Sequence, residues 1–154
     1  MSDDFLTSIT IPTVPAPCLS ANSRAHWATK QIETRRLYAI VRADFARQGY
    51  ETVSTPVVID IEIVWPLSKK GKLLDQDNAQ SGGTKAIVDS LRPCACKGCR
   101  GQKMSARERA DRCHAHFWRG VLPDDSPEWV KAVRATVRKG AEGPMTRIEL
   151  RRAA

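Results

Sequence analysis

Val57-Val58-Ile59-Asp60-Ile61-Glu62-Ile63-Val64-Trp65 decides the fold class. Val57, Ile59, Ile61, Ile63 and Trp65 recur every second residue, and Asp60 and Glu62 fall between them. Side chains on a strand point alternately to its two faces, so this segment predicts a strand with one buried and one wetted face. Such a strand needs a layer to cover its apolar face. From Ser23 the chain predicts a helix running to about Gln48, with Gly49 as its stop. Leu37, Val41 and Phe45 recur at four-residue spacing and Ile40 widens that stripe toward the core. Arg24, Lys30, Arg35 and Arg42 are expected on the other face.

Outward from these two elements, Phe5 to Ile11 alternates and predicts a strand ended by Pro12, followed by a stiff Pro-rich connector to Pro17. Thr84 to Leu91 predicts a short helix with Ile87, Val88 and Leu91 inward and Lys85 and Asp89 four apart on the opposite face. Trp129 to Arg138 and Met145 to Arg151 predict two strands, and the turn residues Gly140 to Pro144 predict that they form a hairpin. The expected architecture is one α/β (α+β) domain spanning 1–154. A mixed sheet carries two main helices in the order β-α-β-α-insert-β-β, and residues 92–119 form the insert.

The chain has 154 residues, a hydrophobic fraction of 42% and four Trp, enough for a single buried core. No apolar run approaches the ~20 residues of a membrane span. The acidic start Met1-Ser2-Asp3-Asp4 does not resemble a secretory signal, so a cytoplasmic setting is expected. Net charge is +8. Residues 97–119 hold seven Lys or Arg against two carboxylates, +5 of that total, and point to a polyanionic partner, of which nucleic acid is the commonest.

Against this basic background stand two acidic clusters, Asp75-Gln76-Asp77-Asn78 and Asp124-Asp125. Carboxylates this close are costly to bury and are tolerated on wet loops or around a divalent cation. In an extended segment Asp75 and Asp77 point to the same side. Phosphodiester hydrolysis needs an activated water and a stabilised leaving oxygen. Mg²⁺ held by two or three carboxylates supplies both. Acidic turns are the plainer alternative, because Asp and Asn favour turns on their own account.

The order of these motifs resembles the RusA-type Holliday-junction resolvases, homodimeric Mg²⁺-dependent endonucleases. The similarity runs through Leu19 to Asn22 leading into a helix, Ile61 to Pro66, and a basic loop. It continues with Asp75 to Asn78, Lys85, Asp89 to Leu91, Gly120 to Asp125, and a terminal hairpin with a Lys-Gly turn before Arg147 to Leu150. The resemblance implies that Asp75, Asp77 and Asp125 hold Mg²⁺ and that Lys85 assists at the scissile phosphate. Asp89 and Asp124 would be supporting or structural. It also implies a homodimer that cuts four-way DNA junctions in recombination and repair. Ala79 to Thr84 separate Asn78 from Lys85, where the family places its Lys sooner, and an ion pair with Asp89 is the other role open to Lys85. Lys69, Lys70 and Lys72, just before the acidic cluster, are expected to contact the DNA backbone.

The insert departs from the family pattern. Cys96 and Cys99 flank a Lys-Gly turn, and Ser105 to Glu108 match a helix capping box. Cys113 and His116, three apart, share a face of the following helix, whereas His114 points elsewhere. Cys96, Cys99, Cys113 and His116 form a Cys₃His set suited to structural Zn²⁺, with Cys94 as an alternative to Cys96. Cys18 is expected to be a small buried apolar residue, and His26 and Trp27 to be packing residues. Two other functions fit the same residues: a non-enzymatic zinc-containing DNA-binding protein, or a nuclease of the same fold acting on flaps and other branched DNA.

Overall fold

A computed structural model describes residues 4–20, 23–70, 83–94, 103, 105 and 118–154, except for the Cys18 side chain. Its elements are β1 (Phe5–Ile11), a 3₁₀ turn (Pro17–Leu19), α1 (Trp27–Gln48), β2 (Val57–Pro66), α2 (Gly83–Leu91), β3 (Val130–Gly140) and β4 (Met145–Arg152). The strands form one mixed sheet in the order β1-β4-β2-β3. This is the mixed-sheet, two-helix α+β domain that the alternation predicts.

Both helices contribute to a single core with one face of the sheet. Leu37, Val41 and Phe45 of α1 and Ile87 and Leu91 of α2 meet Ile9, Ile11, Ile59, Ile61, Ile148 and Leu150. Each belongs to an apolar series at strand or helix spacing, so burial follows from period. The opposite face of the sheet is charged. Arg138 lies 2.8 Å and Arg147 3.7 Å from Glu62, while Arg151 lies 3.4 Å and Arg134 4.0 Å from Asp60. These four arginines are largely balanced by carboxylates of their own sheet.

The expected hairpin does not form. β3 runs parallel to β2 and β4 antiparallel to it, so β2 lies between two strands that are consecutive in sequence. The link from Gly140 to Pro144 therefore passes over the end of β2. A Cβ at Gly143 would sit 2.5 Å from the Trp65 carbonyl carbon and 2.7 Å from the Pro66 nitrogen, an approach only glycine permits. The most apolar strand gains two ladders by this arrangement, and a hairpin would have left it with one fewer neighbour.

Helix α1 begins at Trp27 rather than just after Ser23. His26 Nδ1 accepts from Ala28 N at 3.2 Å as the cap, while Ser23 Oγ accepts from Ala25 N in a local turn. Short hydroxyl side chains compete for nearby amides in this way. The helix stops at Gly49, which is left-handed at φ 72°. His26 and Trp27 are not packing residues, since Trp27 is 65% exposed with its ring tilted against His26 at 5.6 Å. Ten residues separate it from Leu37, which rotates it roughly a quarter turn off the core stripe. Arg42 also differs from expectation. It faces α2, donating from Nε to Ser90 O at 3.0 Å, and lies over the Tyr38 ring.

Candidate acidic site and the base of the insert

The site is built on the outer face of α2. Because Lys85 and Asp89 are one turn apart, Lys85 Nζ reaches to 3.6 Å from Asp89 Oδ2. Arg92, one position past the helix end, places Nη2 3.5 Å from Asp89 Oδ1. Its other terminal nitrogen, Nη1, donates to Asp125 Oδ1 at 3.2 Å. Lys85, Asp89, Arg92 and Asp125 thus form one chain of alternating charge. Three residues named from sequence, Lys85, Asp89 and Asp125, are linked through a fourth, Arg92, that sequence spacing does not single out. Only its position three after Asp89 hints at it.

Burial differs along this chain. The Lys85 side chain is 69% exposed, Asp125 30% and Asp89 16%. Among the described residues, Asp89 Oδ1 and Arg92 Nε are buried without a hydrogen-bond partner. Tyr38 of α1 borders the cluster. Burial pushes its phenol up from the ordinary value, and the Asp89 carboxylate adds to the rise. Asp124 has a different role. Its Oδ1 accepts from Asp125 N at 2.8 Å, and that backbone bond holds its carboxyl below the usual range. Asp124 therefore shapes the turn that presents Asp125.

The residues flanking the insert are fastened to the core. Val121 N and Leu122 N both donate to Leu91 O, at 2.8 and 3.0 Å, and Trp118 Nε1 donates to Arg92 O at 2.7 Å. Gly120 has φ 85° and a Cβ there would lie 2.6 Å from the Pro93 nitrogen. Thr52 Oγ1 donates to Gly120 O at 2.8 Å, and Val53 N donates to Val121 O at the same distance. Trp118 packs between Phe45 and Tyr50, at centroid distances of 6.4 and 4.5 Å. Arg92 and Trp118, expected in the insert, are therefore part of the packed body, and the insert's base adjoins the acidic site.

Asp75, Asp77, Lys72, Cys96, Cys99, Cys113 and His116 lie outside the described residues, and Cys94 is partly buried. Among the described residues no group of three or more His, Cys, Asp or Glu converges as a metal-binding set. Asp89 and Asp125 suit a hard cation in donor type, and the unbonded Asp89 Oδ1 is consistent with one more cationic partner. Lys69 places Nζ 4.9 Å above the Trp65 ring at the end of β2, and its carbonyl accepts from Lys139 Nζ at 2.6 Å.

If Cys96, Cys99, Cys113 and His116 hold zinc, purified protein should contain about one zinc per chain. A strong chelator should then expose the insert to protease while the core melts within a few degrees of the parent. Cys113→Ser should imitate the chelator and His114→Ala should not. Elemental analysis that finds no zinc after chelator-free, reducing purification would make the insert a basic arm instead.

No protein-family model matches the chain, and no curated protein matches it. Among the described residues no helix is long and apolar enough to cross a membrane.

Proposed function

We propose that the protein is a Mg²⁺-dependent endodeoxyribonuclease acting on four-way DNA junctions, a RusA-like resolvase working as a cytoplasmic homodimer in recombination and repair. The observation that carries this reading is the chain Lys85–Asp89–Arg92–Asp125. It gathers residues up to 40 positions apart on one face of α2, beside the base of a strongly basic insert. Asp75, Asp77 and Asp125 would hold the metal, which supplies water activation and charge neutralisation at the leaving oxygen. Lys85, exposed at the outer end of the chain, would meet a phosphate oxygen of the substrate. Two symmetric nicks are needed to resolve a junction, and a twofold dimer presents two sites.

One observation favours the non-enzymatic alternative: Asp89 and Asp125 already share Arg92, which satisfies part of their charge without a cation. Junction, flap and duplex DNA incubated with and without Mg²⁺ separate the readings. Mg²⁺-dependent paired nicks in the junction support the proposal. Cutting of flaps in preference to junctions would make the protein a same-fold nuclease for other branched DNA. Tight binding with no cutting of any substrate would leave a zinc-containing DNA-binding protein.

The charged sheet face is an unfavourable place for DNA because its four arginines are paired with four carboxylates, Asp60, Glu62, Glu142 and Glu149. The lysines at the end of β2 are the better candidates. Neutralising Lys69, Lys70 and Lys72 together should weaken binding to every DNA form. It should flatten the slope of log K against log salt by about 0.9 for each phosphate that is no longer neutralised. An unchanged slope in a binding titration would assign these lysines to a solvated loop.

A further inference from the structure

We propose that Arg92 is a resident counter-ion of the acidic site, holding Asp89 and Asp125 together and competing with the divalent cation for Asp125. This rests on the reading of Asp125 as a metal ligand. One guanidinium spans two carboxylates that come from different elements. Nη2 lies 3.5 Å from Asp89 Oδ1 and Nη1 3.2 Å from Asp125 Oδ1. Two carboxylates this near one another repel unless a cation lies between them, and in this arrangement the guanidinium is that cation. A metal ion on Asp125 would bring a second positive charge against the guanidinium across the shared carboxylate, so each cation weakens the hold of the other.

The fit of the guanidinium is incomplete. Among the described residues, Arg92 Nε and Asp89 Oδ1 are buried yet make no hydrogen bond, and the Nη2–Oδ1 separation is long for an optimal one. A purely structural arginine in a half-buried site is expected to satisfy its donors more fully. The backbone of Arg92, by contrast, is fixed independently of its side chain. Its carbonyl accepts from Trp118 Nε1, and the neighbouring Leu91 carbonyl accepts from two amides. The side chain can therefore give up Asp125 without the local backbone moving. Arg92 is a positioning residue: it keeps Asp125 in place against Asp89 before the metal arrives and sets how much metal is needed to displace it.

The test is Mn²⁺ binding, followed by the electron paramagnetic resonance signal of the free ion, on the full-length protein without DNA. Asp125→Asn should weaken Mn²⁺ binding tenfold or more, and unchanged affinity in that variant would overturn both the site and the placeholder. With that loss established, Arg92→Gln should bind Mn²⁺ roughly fivefold more tightly than the parent, the factor an ion pair of this exposure is worth at most. Equal or weaker binding by Arg92→Gln would overturn the placeholder and leave the acidic site standing, because a merely structural arginine loosens the ligands when removed. Arg92→Lys keeps a charge but cannot span both carboxylates, so it should gain about half as much on a logarithmic scale. Should Arg92→Gln fail to fold, a gain in Arg92→Lys supports the proposal and no gain overturns it.

Discussion

With the proposed nuclease activity, Asp125→Asn should lower junction cleavage by about a thousandfold, the order seen when a charge-stabilising group is lost from a hydrolytic site. Binding should remain, or tighten slightly, because a negative charge facing phosphate is removed at the same time. Asp75→Asn and Asp77→Asn should behave alike. The Asp125 pair with Arg92 is partly exposed and is worth at most about 1 kcal/mol, so the variant should melt within a few degrees of the parent. Asp60→Asn is the matched control. Asp60 sits on the opposite face of the sheet between Arg134 and Arg151, and its loss should leave the cutting rate alone. Gel assays of nicking at saturating Mg²⁺ read all four variants. Parental rates in the three active-site variants would remove the acidic site from the chemistry.

Trp118→Ala should be strongly destabilising, at about 3–5 kcal/mol. Its ring packs on Phe45 and Tyr50 and lies under the Arg42 guanidinium at 5.6 Å, and its indole nitrogen bonds the Arg92 carbonyl. Truncation opens a cavity beside α1 and releases the exit of the insert in one step. For a chain of this length the melting temperature should fall by about 10 °C or more. Trp118→Phe keeps most of the ring and loses the indole donor, so it should cost only about 1–2 kcal/mol. Thermal unfolding followed by circular dichroism distinguishes the two. A Trp118→Ala protein that melts with the parent would mean that the insert is not anchored through this residue.

Much of the fold is legible in the sequence because burial follows period. Ile59, Ile61 and Ile63, and Leu37, Val41 and Phe45, are buried where their spacing places them. Part of the acidic site is legible for a similar reason: Lys85 and Asp89 sit one helical turn apart and pair accordingly. Trp27 is exposed against expectation because hydrophobicity alone does not give helical phase. Arg42 departs from its expected face because a long side chain at the edge of a stripe can turn toward either a neighbour or water.

By itself the sequence determined which segments are strands and helices, which face of each is apolar, and where Gly49 ends the long helix. These depend on side-chain period and on backbone preferences within a few residues. Which strands lie side by side was decided only in three dimensions. Alternation says which face of a strand is buried but not which strand is its neighbour, and a glycine-containing link serves a tight hairpin or a passage over another strand equally well. The tertiary structure chose the second, with β2 between β3 and β4 and Gly143 against the Trp65 backbone. The same holds for Arg92. Its spacing from Asp89 is local, but Asp125 is 33 residues away and reaches it only because the backbone at Leu91 and Arg92 is bonded to the segment from Trp118 to Leu122. Contacts of that kind depend on how packed elements close upon one another, and no short stretch of sequence contains that information.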